Sequence, residues 1–179
     1  MDVYIEPIES APHLYIVGAG HVALDLAQVA LQAGFRVHVL DDREKFANPD
    51  RFPGVEVAVA EIPEWLSRAA IPAGASVVVV TRGHRQDLEA MRALVGRELR
   101  YLGMIGSRAK VARVFDALRT EGVPQSRLDL VHAPIGLDIG AVSPAEIAVS
   151  IAAELIAVRS GRIEAPHVSA ACLARAPRQ

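Results

Sequence analysis

The sequence predicts a doubly wound α/β fold, a mostly parallel sheet held between two layers of helices. Short apolar runs alternate with helix-period stretches along most of the chain. Val77-Val78-Val79-Val80, opened by Ser76, is β-branched throughout, as a strand covered on both faces requires. Leu14-Tyr15-Ile16-Val17 runs directly into Gly18-Ala19-Gly20-His21-Val22-Ala23 and then the helical-looking Leu24-Asp25-Leu26-Ala27-Gln28-Val29-Ala30, a strand, a glycine turn and a helix in order.

The chain has 179 residues, of which 51% are hydrophobic, enough for one well-cored domain and short for two. Residues 1–12 read as an edge strand or linker containing Val3-Tyr4-Ile5, residues 13–161 as the domain, and residues 162–179 as a loosely held tail. A formal net charge of −2 provides no basic field, so neither nucleic acid nor an anionic membrane is favoured as a partner. Cys172 is the single cysteine, which excludes an intramolecular disulfide and a cysteine-based zinc cluster. With no basic, apolar leader at the start and no membrane-length apolar run, a cytoplasmic protein is expected.

Gly18 lets the chain turn sharply off the first strand, and Gly20 removes a side chain where backbone must approach a ligand; Ala23 still permits close helix-to-strand packing. The free N–H groups that follow, at His21 and Val22, join the positive end of the helix dipole in a site for phosphate or pyrophosphate. The second strand, Val37-His38-Val39-Leu40, ends in Asp41-Asp42, where a carboxylate would meet a ribose hydroxyl. The charged, proline-punctuated stretch from Arg43 to Gly54 reads as a surface connection with Phe46 and Phe52 tucked under the sheet. A sharper reading has Arg43 pair with a phosphate, although the neighbouring acid argues against a 2′-phosphate.

Val55-Glu56-Val57-Ala58-Val59 is the third strand, and Pro63 to Ala70 a short helical turn in which Trp65 packs rather than stacks on a ligand. Ser76 to Val80, the fourth strand, leads into Thr81-Arg82-Gly83-His84-Arg85-Gln86-Asp87. Thr81, His84 and Asp87 thus fall where open α/β sheets bind ligands, though His84 and Asp87 are equally ordinary helix-capping residues. One His and one Asp is too thin a set for a metal. The fifth strand, Tyr101 to Ile105, ends in Gly106-Ser107-Arg108-Ala109-Lys110, a second anion-friendly corner unless Arg108 and Lys110 are simply solvated. Val131 to Gly140 is apolar without a clean period, so it is either tucked in or holding a ligand. Ser143-Pro144-Ala145-Glu146 is a capping box that starts the last long helix, and Gly161 stops it.

Gly18 to Ala23, Asp41-Asp42-Arg43, Thr81-Arg82-Gly83-His84 with Asp87, Tyr101 to Arg108 with Lys110, and His132 to Gly140 form an ordered set that resembles the Rossmann half of the XdhC/CoxI family, the xanthine dehydrogenase accessory proteins. The resemblance covers roughly residues 1–160, and the last two motifs are its most specific part. It implies a Rossmann-like fold and a non-catalytic role: binding molybdenum cofactor, protecting it during maturation and delivering it to a xanthine dehydrogenase-type molybdenum hydroxylase. On that reading the phosphate sits at Gly18, Gly20 and the following amides, a polar group at Asp41, and the pterin near His84, Arg108, His132 and Asp138. Full-length family members carry a further N-terminal domain, so a separate partner chain is expected to supply it, or the chain is a Rossmann-only paralogue. An NAD(P)-dependent oxidoreductase using His84 or His132 as acid or base, and a nucleotide-sensing module, are the alternatives. The apolar final helix and the apolar 131–140 loop favour a homodimer.

Overall fold

A computed structural model describes residues 11–163. The elements follow in the order β1 (His13–Val17), α1 (His21–Gln32), β2 (Arg36–Asp41), β3 (Glu56–Val59), α2 (Ile62–Arg68), β4 (Ser76–Val79), α3 (His84–Leu94), β5 (Tyr101–Met104), α4 (Arg108–Thr120), α5 (Gln125–Leu128), β6 (Val131–His132) and α6 (Pro144–Arg159). The six strands form one parallel sheet in the order β3-β2-β1-β4-β5-β6. The expected doubly wound, Rossmann-like fold is therefore observed. The order reverses between β1 and β4, and in such sheets the ligand crevice lies outside the strand ends at that switch.

Side-chain alternation sorts the core into two layers. Leu14, Ile16, Val78, Val80 and Tyr101 point to the face covered by α1, α6 and the β2–β3 connection. Tyr15, Val17, Val77, Val79, Leu102 and Met104 point to the face covered by α2, α3 and α4. The β2–β3 connection stands where a helix would ordinarily cross, and Phe52, 1% exposed, buries with Phe46 packed against it. Helix α6 is apolar nearly all round and lies against α1. Arg159 fastens its far end by donating to the Ala33 carbonyl at 3.2 Å and lying over the Phe35 ring.

Two short elements, α5 and β6, lie where no helix or strand is expected, because four and two residues are too few to show a period. Strand β6 pairs Val131 and His132 with Leu102 and Gly103. The chain then folds back over β5, where a Cβ on Gly103 would lie 2.5 Å from Ile135 Cδ1. The strand expected at Val3-Tyr4-Ile5 and most of the expected tail lie outside the described residues.

Candidate functional site

At the switch point the glycine turn is wedged between its neighbouring strands. Gly18 has φ +112°, its N–H donates to the Leu40 carbonyl at 2.7 Å, and a Cβ there would stand 2.4 Å from the Val80 carbonyl oxygen. Gly18 is thus required by the fold itself. Gly20 is different: it is the N-cap of α1 in an extended conformation, with open space where a Cβ would project. Among the described residues no side chain caps α1, and its first turn holds no acid, so those residues leave the amides after Gly20 and the positive helix end uncompensated. His21 is exposed and Val22 half-buried at this start.

Asp41 is 3% exposed and turned beneath the turn. Its Oδ2 accepts from the Ala19 N–H at 2.8 Å and from Arg43 Nη2 at 2.9 Å; its Oδ1 accepts from the Arg43 N–H at 3.0 Å and from Arg43 Nε at 2.8 Å. Four donors fill the in-plane acceptor sites of a carboxylate. The expectation of an acid open to a ribose, with Arg43 free for a phosphate, is corrected on that ground: the two residues satisfy each other. Burial pushes the Asp41 pKa up, but the Arg43 guanidinium and the two N–H donors outweigh it and hold the carboxyl below its usual range. The same ion pair raises Arg43, whose guanidinium also lies 3.9 Å over Phe46.

On the β4 side, Asp87 is fully buried, and Gly83 rather than a side chain stands at the α3 N-cap. The helix-cap reading of His84 and Asp87 is therefore corrected. Asp87 Oδ1 accepts from Thr81 Oγ1 at 2.6 Å, while Lys110 Nζ reaches Oδ2 from α4 at 2.5 Å. That second approach is an ion pair outside hydrogen-bond alignment, so Oδ2 has a charge partner but no aligned donor. The Lys110 stem crosses Gly106, where a Cβ would sit 2.8 Å from its Cδ. Of the two cations in this corner, then, Lys110 is drawn inward, whereas Arg108 is exposed and makes no ion pair among the described residues. Ser107 caps α4 by accepting from the Lys110 N–H. Arg82 and Gln86 reach across to Asp42 at 2.8 and 3.2 Å, joining the ends of β4 and β2 above the turn.

His84 and Asp138 are exposed. His132 is not part of the crevice. It pairs with Gly103, which sits level with Val78 and Ile16, three strands across, about 14 Å at ordinary strand spacing. Its Nδ1 lies 3.1 Å from Glu154 Oε1, and its ring stacks on Tyr101 at 4.3 Å. Glu154, 3% exposed, also accepts from Tyr101 Oη at 2.5 Å and from the Gly136 N–H at 2.8 Å. Burial raises the Glu154 pKa, but these three donors outweigh it and leave the carboxyl below its usual range; burial first, then Glu154, pushes Tyr101 well up. Sequence reading missed Glu154. The available signal was a charge standing alone between Glu146 and Arg159 in an apolar helix, which has to find a partner.

The profile of the XdhC Rossmann domain matches residues 14–155. The chain belongs to that family. A relative in Escherichia coli K12, the uncharacterized protein YqeB, is 33% identical over 160 residues, covering 89% of this chain and 30% of its own. A probable xanthine dehydrogenase subunit of Bacillus subtilis 168 is 33% identical over 159 residues, covering 88% and 46%. A crystal structure described as a xanthine dehydrogenase from Bacillus halodurans superposes with a TM-score of 0.76 at 32% identity, over 86% of this chain and 44% of that one. The XdhC domain here thus spans less than half the length of these relatives.

Proposed function

We propose that this XdhC domain serves a xanthine dehydrogenase-type molybdenum hydroxylase as an accessory protein, binding molybdenum cofactor through its phosphate or pyrophosphate during maturation and insertion. The observation that carries the reading is the bare start of α1: no cap, no acid in the first turn, and empty space at Gly20. That cradle fits a phosphate, because several N–H donors converge there with the positive end of the helix dipole. The His21 and Val22 amides would hold it, with Arg108 and the exposed His84 and Asp138 as candidate contacts to the rest of the group. The cofactor, when bound, supplies the redox chemistry of the recipient enzyme; the residues of this chain hold and shield it. The names of the Bacillus relatives support the choice of recipient.

A nicotinamide dinucleotide would use the same pyrophosphate cradle, but it ordinarily needs an acid free to meet the ribose, and Asp41 is already saturated. Purified chain should retain molybdenum cofactor against oxidative loss, and Gly20→Leu should lose that retention with the fold intact. Retention no better than that of an unrelated Rossmann protein, or tight NAD(P) binding with hydride transfer, would overturn the reading. We extend the same reading to assembly. Val149 and Ile156 on α6 and Ile139 and Val142 ahead of it are exposed, apolar residues suited to a homodimer or to a contact with the rest of a protein as long as the relatives. Mass in solution distinguishes the dimer from the monomer.

A further inference from the structure

A cavity of about 260 Å³ opens beside the N-terminal end of β5, the opposite end of the strands from the crevice. Tyr101 and His132 line it, 2% and 6% exposed. The Nδ1 atom of His132 faces ionised Glu154, so the ring proton belongs there. Its Nε2 has no hydrogen-bond partner among the described residues. A buried imidazole, fixed at Nδ1 by a carboxylate and with no described partner at its second nitrogen, therefore lines the cavity.

The remaining wall is divided in chemistry. Leu130, Val158 and Ile163 make it apolar, while Arg97, Arg100 and Arg127 outnumber Glu98. Arg97 donates to the carbonyls of Ala93 and Ala69, and Arg127 lies 3.6 Å from Glu98. Arg100 is exposed and has no ion pair among the described residues. We propose that this cavity binds a small organic carboxylate with an apolar body, its carboxylate at His132 Nε2 and Arg100 and its body against Leu130, Val158 and Ile163. On binding, Nε2 takes up one proton from solvent, so the imidazolium stands between two carboxylates, Glu154 at Nδ1 and the ligand at Nε2. The charged and titratable groups around it are Glu154 from α6, Tyr101 from β5, Arg97, Glu98 and Arg100 from the connection before β5, and Arg127 from α5.

The test follows the His132 imidazole resonances of the full chain by NMR during titration with hexanoate, hexanol and hexylamine, which share one apolar body. Hexanoate should give a saturable shift and bind about tenfold more tightly than the other two, as a charge-assisted hydrogen bond implies. Because the bound state carries one proton more, its affinity should fall as pH rises. His132→Asn should weaken hexanoate about tenfold. Arg100→Ala, a surface change that leaves the core intact, should weaken it about threefold and keeps the test open if the histidine variant does not fold. No saturable shift with hexanoate, hexylamine binding as well as hexanoate, an affinity indifferent to pH, or an Arg100→Ala protein that binds as tightly as the native chain would each overturn the proposal.

Discussion

The first and last long helices make opposite use of the same parts. At each, a glycine is packed so closely that a Cβ would stand 2.4 Å from a neighbouring oxygen, Gly18 against Val80 and Gly136 against Ser150. At each, a buried carboxylate accepts from a turn N–H, Asp41 from Ala19 and Glu154 from Gly136. The helix starts then diverge. Helix α6 is closed by Ser143 and Glu146 in a reciprocal capping box, whereas α1 starts at Gly20 with no side-chain cap among the described residues. The polar groups of the α6 corner largely satisfy one another; the α1 corner is held just as firmly from below yet leaves donors facing outward. A ligand site can therefore be recognised by which satisfied arrangement stops one step short.

Gly18→Val tests the firm half of the α1 corner and should have the largest effect. Its side chain meets backbone at a positive φ, so a loss of about 3 kcal/mol is expected in urea unfolding. Glu154→Leu should cost about 2 kcal/mol, because the Gly136 N–H, the Tyr101 hydroxyl and His132 all lose their acceptor. Acid titration compares the two carboxylates directly. Both have folded pKa values below the ordinary range, so each contributes stability that is fully present above its unfolded value and is lost as pH falls through the folded one. Stability measured from neutral pH downwards should thus decline below about pH 4, and Asp41→Asn or Glu154→Gln should each flatten that decline.

Ser143→Ala removes the α6 cap and should cost about 1 kcal/mol. The smallest change in stability is the most discriminating. Gly20→Asp gives α1 a side-chain cap at the position that Ser143 holds in α6, in a backbone conformation already suited to it, and should alter stability by only about 0.3 kcal/mol. Its carboxylate would take the amides meant for a phosphate, so binding of a phosphate-bearing ligand should be lost while the melting temperature holds. Unchanged binding would remove the distinction between the two helix starts.

Much of this contrast was readable beforehand. Leu14 to Val17, Ser76 to Val80 and Tyr101 to Ile105 announced their strands through continuous apolar runs, and the Ser143 box announced α6, because these signals are local. The ends of the side chains were not local. Asp87 and Lys110 meet across two neighbouring crossovers, and His132 and Glu154 meet across a sheet edge and a helix, so spacing alone could not pair them. Asp41 was misread for a related reason. Its position at the end of β2 suits a ribose, but its acceptor sites are filled by Ala19 and Arg43, and only geometry shows that.

The fastening of Arg159 onto Ala33 and Phe35 also bears on how the chain is made. The sheet face built from Leu14, Ile16, Val78 and Tyr101 receives part of its cover from α6, the last helix described. During synthesis from the N-terminus, that face waits for residues 144–159 before its core can close. A nascent chain halted before Pro144 therefore presents an unfinished apolar surface, and the interval before α6 emerges is when this domain is most exposed to aggregation or to capture by a chaperone.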